Sequence, residues 1–131
     1  MIVEDNAADV LLIRRAIANA GLNAEIQIVE NGEAAIRAFD AYDADPALTC
    51  PGLVILDINL PRRPGAEVLE HLRMSRRCFG TPVIVISTSD ATKDREAAER
   101  LGANAYFRKP SEVAGFMKLG ELVKALLQGR A

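Results

Sequence analysis

One histidine, two cysteines and no apolar run of membrane-spanning length leave several functions without their usual residues. A bilayer-crossing helix needs about 20 consecutive apolar residues, and a secretory leader opens with basic and then apolar residues. Neither pattern is present, so a cytoplasmic location is expected. Sixteen basic residues stand against 18 acidic ones, and a formal charge of -2 supplies no bulk attraction to nucleic acid or to a membrane surface. Cys50 and Cys78 lie in polar or turn-rich connections and make no C-x-x-C pair. Neither a zinc site nor a redox motif is indicated, and both are expected as free thiols. His71 follows Glu67 by four residues in a helical pattern, where a solvated i,i+4 pair is the expected use. The chain shows no internal repeat and no low-complexity tract.

What is present is the material of one ordinary domain over residues 1–131, 50% hydrophobic and 26% charged. Gly52-Leu53-Val54-Ile55-Leu56-Asp57-Ile58-Asn59-Leu60-Pro61 organises it. An apolar, β-branched run closed by proline reads as a strand buried on both faces. Asp57 stands at its carboxyl end, and a buried carboxylate needs a cation or hydrogen-bond donors.

Along the chain, Met1-Ile2-Val3 is a short strand followed by Glu4-Asp5-Asn6 and a helix with Val10, Ile13, Ile17 and Ala20 in helical spacing. Asn6 suits its N-cap, Asp9 the positive end of its dipole and Gly21 its termination. Glu25 to Val29 alternates as a half-exposed strand. Asn31-Gly32 then opens a second helix with Ala35, Ile36, Phe39 and Tyr42 inward. A proline-containing loop from Asp43 to Pro51 precedes the Asp57 strand. Pro61 to Gly65 leads into a third helix with Val68, Leu69 and Leu72 buried. Val83 to Ile86 is another doubly buried strand, ending in Ser87-Thr88-Ser89-Asp90. A mostly polar helix from Thr92 to Leu101 has Ala97, Ala98 and Leu101 as its thin apolar face, and Gly102 ends it. Ala105 to Pro110 is the fifth strand, stopped by the proline, and Ser111 is expected to cap a last helix with Phe116, Leu119, Val123 and Leu126 inward.

Strands alternating with helices predict an α/β fold, a doubly wound parallel sheet of five strands with helices on both faces. Ligands of such sheets sit outside the carboxyl ends of the strands. Those ends carry Glu4 and Asp5, Asp57, Ser87 and Lys109. Any one of them has an ordinary use as a helix-start acid, a turn residue or a strand-end cation. Together they converge three carboxylates, a hydroxyl and an ammonium on one edge. Two carboxylates about 5 Å apart repel by about 3 kcal/mol at an effective dielectric of about 20, so the set calls for a cation. Magnesium fits an all-oxygen site of Asp5, Asp57 and a loop carbonyl such as that of Asn59. A carboxylate beside a metal and a fixed lysine can act as nucleophile toward a phosphoryl group, giving an aspartyl phosphate.

VEDN (Val3 to Asn6), LDINLP (Leu56 to Pro61) with Gly65, ISTS (Ile86 to Ser89) and YFRKP (Tyr106 to Pro110) stand in the order found in response regulator receiver domains, and the chain resembles that CheY-like superfamily over nearly its whole length. Its VEDNAAD opening, the long loop before the third strand and KPS with FMKLGELVKALL are similar to single-domain regulators that partner bacterial phytochromes and related histidine kinases. The resemblance implies a flavodoxin-like sheet of order 2-1-3-4-5. It implies that Asp57 accepts a phosphoryl group from a partner histidine kinase or histidine phosphotransfer protein, with Mg2+ held by Glu4, Asp5, Asp57 and the Asn59 backbone carbonyl. Lys109 would pair with the phosphoryl group, and its peptide bond to Pro110 would be cis. Ser87 and Tyr106 would be the hydroxyl and aromatic of a switch, biasing the surface around the fourth helix. Relative to the family, the first strand is short at the end away from the site.

On this reading no output domain follows Gln128, so signalling is expected through a downstream protein, a relay or a changed dimer. A homodimer would use the fourth helix, fifth strand and fifth helix, with Phe107, Phe116 and Leu119 contributing, although these residues could simply pack the monomer. Two alternatives are a phosphate-independent interaction module and a magnesium-dependent phosphatase of the haloacid dehalogenase type. The latter places a second aspartate two residues after its nucleophile, where this chain has Asn59.

Overall fold

A computed structural model describes residues 1–129 of the chain, so the last two residues of the expected domain lie outside the described residues. Five strands alternate with five helices: β1 (Ile2–Val3), α1 (Ala7–Asn19), β2 (Ile28–Val29), α2 (Gly32–Ala44), β3 (Val54–Asp57), α3 (Gly65–Arg73), β4 (Val83–Ser87), α4 (Thr92–Arg100), β5 (Ala105–Arg108) and α5 (Val113–Leu127). The strands form one parallel sheet in the order β2-β1-β3-β4-β5. This is the doubly wound arrangement read from the alternation of elements. Among the described residues no helix is long and apolar enough to cross a membrane.

The period-two alternation of strand side chains divides the core into two layers. Val54 and Leu56 of β3 join Val83 and Val85 of β4 beneath α2 and α3, where they meet Phe39, Val68 and Leu72. Ile55, Ile84 and Ile86 point the other way, to Ile13, Phe116 and Leu119 of α1 and α5. Both central strands are buried along their whole length, which is why their sequences are continuous apolar runs. The sheet ends on polar side chains only where the strands reach the carboxyl edge.

Local signals locate four of the ten helix ends. Asn6 and Asn31 accept the N–H of Asp9 and Ala34, closing the first turns of α1 and α2. Gly21 and Gly102 follow α1 and α4 with φ of +78° and +99°. Ser111 is not the cap of α5. That position is taken by Glu112, which makes no side-chain cap hydrogen bond, so the helix opens without the hydroxyl expected to hold it. Of the thin apolar face of α4 only Ala98 is buried.

Other expectations are corrected by contacts distant in sequence. β2 pairs only through Ile28–Val29, not from Glu25, because β1 presents just two residues to it. His71 Nε2 meets Asp40 of α2 at 2.7 Å, and Glu67 pairs with Arg63 instead. Phe116 and Leu119 are 3% and 0% exposed, so these residues pack the monomer, with the Phe107 and Phe116 rings 6.2 Å apart. Cys50 and Cys78 are not free. They precede the adjacent strands β3 and β4, their Cα atoms are 5.6 Å apart, and they form a disulfide.

Candidate functional site

Three strand ends and one helix start bring the charged groups together. The connection after β1 carries Glu4, 1% exposed, and the exposed Asp5; β3 ends on Asp57, 4% exposed. The backbone turns back over Asp57 as soon as the strand ends: Asn59 donates its N–H to Asp57 Oδ1 at 2.9 Å. Gly65 lets this turn lie close, since a Cβ there would stand 2.7 Å from the Asp57 carbonyl oxygen. Lys109 follows β5, whose ladder continues through the Lys109 N–H to the Ser87 carbonyl at 2.7 Å.

Lys109 is the hub. Its ammonium donates to Asp57 Oδ2 at 3.0 Å and to Asp9 Oδ2 at 2.9 Å. It also stands 3.0 Å from Glu4 Oε2 as an ion pair. That last contact lacks hydrogen-bond geometry, so Glu4 Oε2 is a buried acceptor without a hydrogen bond, whereas Oε1 accepts the Asn6 N–H. Burial pushes the Glu4 carboxyl up to about 7; the neighbouring Asp57 carboxylate adds to the shift, and the Asn6 N–H and Lys109 oppose it. Burial alone would lower the Lys109 ammonium, but the carboxylates of Asp9, Asp57 and Glu4 outweigh it and hold the group above the ordinary lysine range. The Lys109–Pro110 bond, expected cis, is trans, as every peptide bond is among the described residues. Trans is the ordinary preference of X–Pro bonds, and the lysine reaches all three carboxylates from it.

Glu4, Asp5 and Asp57 each bring an oxygen within 4.8 Å of the other two. An all-oxygen donor set of this kind, with one buried oxygen short of a hydrogen-bond donor, fits a hard divalent cation rather than zinc or copper.

The expected switch residues lie at the same edge but are engaged elsewhere. Ser87 is buried, and its Oγ accepts the Ser89 N–H at 3.1 Å within its own loop. Tyr106 donates its hydroxyl to the Ser89 carbonyl at 2.9 Å. The Arg95 guanidinium lies 4.7 Å from the centre of the Tyr106 ring. Ser87, Tyr106, Ile58 and Ala98 border a cavity of about 220 Å³ between β4 and α4. Ser89 hydrogen-bonds Asp94 and Asp90 pairs with Arg95, so the β4–α4 loop is tied to the first turn of α4. Neither these ties nor the Asp9 contact with Lys109 was read from the sequence. Asp9 already had a sufficient local role at the start of α1, and its partner lies 100 residues away.

The response regulator receiver domain family matches residues 1–120. The response regulator Rcp1 of Synechocystis sp. is 30% identical over 122 residues, which cover 91% of this chain and 81% of Rcp1. The probable methanogenesis regulatory protein FilR2 of Methanothrix harundinacea is 32% identical over 124 residues, 95% of this chain and 79% of FilR2. Among solved structures, the Mn(2+)-bound form of Rcp1 aligns with a TM-score of 0.81 at 27% identity, covering 95% of this chain and 89% of its own. The phosphorylated cyanobacterial phytochrome response regulator RcpA aligns with a TM-score of 0.83 at 30% identity, covering 99% and 93%. The strand-end acids and lysine therefore stand on a chain that belongs to the response regulator receiver domain family, the signalling domains of two-component systems.

Proposed function

We propose that this chain is a single receiver domain, spanning residues 1–131, that takes a phosphoryl group onto Asp57 from a phosphohistidine. The donor would be a sensor histidine kinase, phytochrome-like by analogy with the phytochrome response regulator RcpA, or a histidine phosphotransfer protein. The observation that carries the reading is the environment of Asp57. It is a nearly buried strand-end carboxylate with one oxygen on the Asn59 N–H and the other on the Lys109 ammonium, beside two further acids. In the transfer an Asp57 oxygen forms a bond to phosphorus as the phosphorus–nitrogen bond breaks, and the imidazole leaves with the electron pair. Glu4, Asp5, Asp57 and the Asn59 backbone carbonyl would hold a magnesium ion, which when bound supplies positive charge at the phosphoryl oxygens. Lys109 supplies a second, fixed positive charge there.

The message would pass through Ser87. Its hydroxyl gives up the Ser89 N–H and turns toward the phosphoryl group, and Tyr106 moves with the β4–α4 loop to which it is bonded. The altered surface around α4 and β5 would bind a downstream protein. A homodimer through α4, β5 and α5 would need exposed residues other than Phe116 and Leu119. Nucleic acid and membrane are not proposed as partners, and the location proposed is cytoplasmic. Asn59, in the place where the phosphatase alternative needs an aspartate, favours a stoichiometric phosphoacceptor over an enzyme that turns over.

Phosphotransfer from candidate histidine kinases with magnesium tests the reading, comparing wild type with Asp57→Asn. Label on wild type alone is expected, and one kinase much faster than the others would name the partner. Equal label on the variant overturns the assignment. Repeated turnover on a small phosphomonoester would replace it with the phosphatase.

A further inference from the structure

Lys109 is held by more carboxylates than its position requires. Glu4 and Asp57, with side chains 0% and 6% exposed, lie 3.0 Å from its ammonium and fix it from the interior of the site. The third, Asp9, is 21% exposed and approaches to 2.9 Å from the first turn of α1. With two buried anchors in place, the chief effect of a third is electrical. It draws the ammonium toward α1, and it adds a negative charge beside the place where a phosphoryl group would arrive. Asp9 is not among the carboxylates whose oxygens converge for a cation, so a metal would not neutralise it by direct ligation.

We propose that Asp9 is a positioning residue acting through Lys109: by holding the ammonium on the α1 side it restrains phosphorylation of Asp57, and it must share or surrender that hydrogen bond when the phosphoryl group arrives. The inference rests on Asp57 being the phosphoacceptor. An acyl phosphate presents new anionic oxygens, and an ammonium has only three N–H donors to distribute. Two of them already go to Asp9 and Asp57 and the ammonium is also ion-paired with Glu4, so moving it onto the phosphoryl group draws it away from these carboxylates. Asp9, the most exposed of the three, is the one that water can most readily compensate.

Small phosphodonors of different charge, used with magnesium on the whole chain, separate this role from a structural one. With acetyl phosphate, an Asp57 oxygen bonds to phosphorus as the phosphorus–oxygen bond of the donor breaks, and acetate departs with the electron pair. Asp9→Asn is expected to accelerate phosphorylation by the dianionic acetyl phosphate roughly three- to tenfold, and by the less charged phosphoramidate by a smaller factor, because an added charge acts most on the donor of like sign. Asp9→Glu, which keeps the charge, is expected to stay near the wild-type rates. An unchanged or slower rate in Asp9→Asn, or the same factor for both donors, overturns the proposal. The pairing has its own readout in 15N-lysine-labelled protein: the Lys109 ammonium resonance should move in Asp9→Asn and stay near its wild-type position in Asp9→Glu. An unmoved resonance in Asp9→Asn also overturns it. If the resonance moves but wild-type Asp57 takes no label from either donor, the proposed function fails and the restraint fails with it, while the ion pair stands.

Discussion

At Glu4 a carboxyl group lies 1% exposed with one oxygen short of a hydrogen-bond donor, and its pKa is about 7 against an ordinary 4.5. Between those two values the folded chain holds a proton that the unfolded chain releases. The stability this group contributes therefore falls as pH rises through the window and is gone above about 7. Metal-free wild type should lose stability relative to Glu4→Gln between about pH 5 and pH 7.5, because the amide removes the titration. Urea unfolding at the two pH values checks this, and a wild-type-to-variant difference that stays constant would refute it. Magnesium at the higher pH should restore more stability to wild type than to the variant. The identities of Glu4, Asp57 and Lys109 were legible because each ends an apolar strand, where a charged group is conspicuous. Their pairing, and the place of Asp9 in it, was not: it depends on side chains 52 and 100 residues apart meeting at 3.0 and 2.9 Å.

α5 packs closely on α1, the helix that carries Asp9. Gly120 permits it, because a Cβ at that position would stand 2.1 Å from the Ala16 carbonyl oxygen. A methyl group there cannot be absorbed by rotating a side chain, since it meets backbone. Gly120→Ala should destabilise the fold by about 1–3 kcal/mol, the usual range for overpacking, as read from the denaturation midpoint; an unchanged midpoint would show that the helices can part at little cost. Ala16 lies in the last turn of α1 and Asp9 in its first, so the contact is away from the strand-end site and the variant that remains folded should still be phosphorylated. Among the elements, β3 and β4 were readable as continuous apolar runs, and α1 and α2 through their asparagine caps. The two-residue ladder of β1 with β2 was not, since a strand's extent is set by its neighbour as much as by its own alternation. Nor was the start of α5, where Ser111 satisfies the local preference and the helix begins two residues later.

Across the whole molecule, the disulfide joins the approaches to β3 and β4 at the end of the sheet opposite Asp57, closing a separation of 28 residues. In the chain-entropy picture a loop of that length stabilises the fold by about 3.5 kcal/mol. Reductant, or Cys78→Ser, should lower the unfolding midpoint accordingly, while leaving phosphorylation of Asp57 in the folded protein intact; a midpoint indifferent to reductant would mean that the thiols are free in solution. In a reducing cytoplasm the folded chain would forgo that contribution. Nothing local in the sequence announced the bridge, because Cys50 and Cys78 become neighbours only once β3 and β4 lie side by side. The strand order has a further effect at the margins of the sheet. One margin is β2, two residues long, and the other is β5, four residues closed by Arg108, Lys109 and Pro110. A passing extended segment thus finds too short a ladder on one side, and on the other charge followed by a residue without an N–H. The margins of the sheet therefore offer little template for strand-by-strand aggregation.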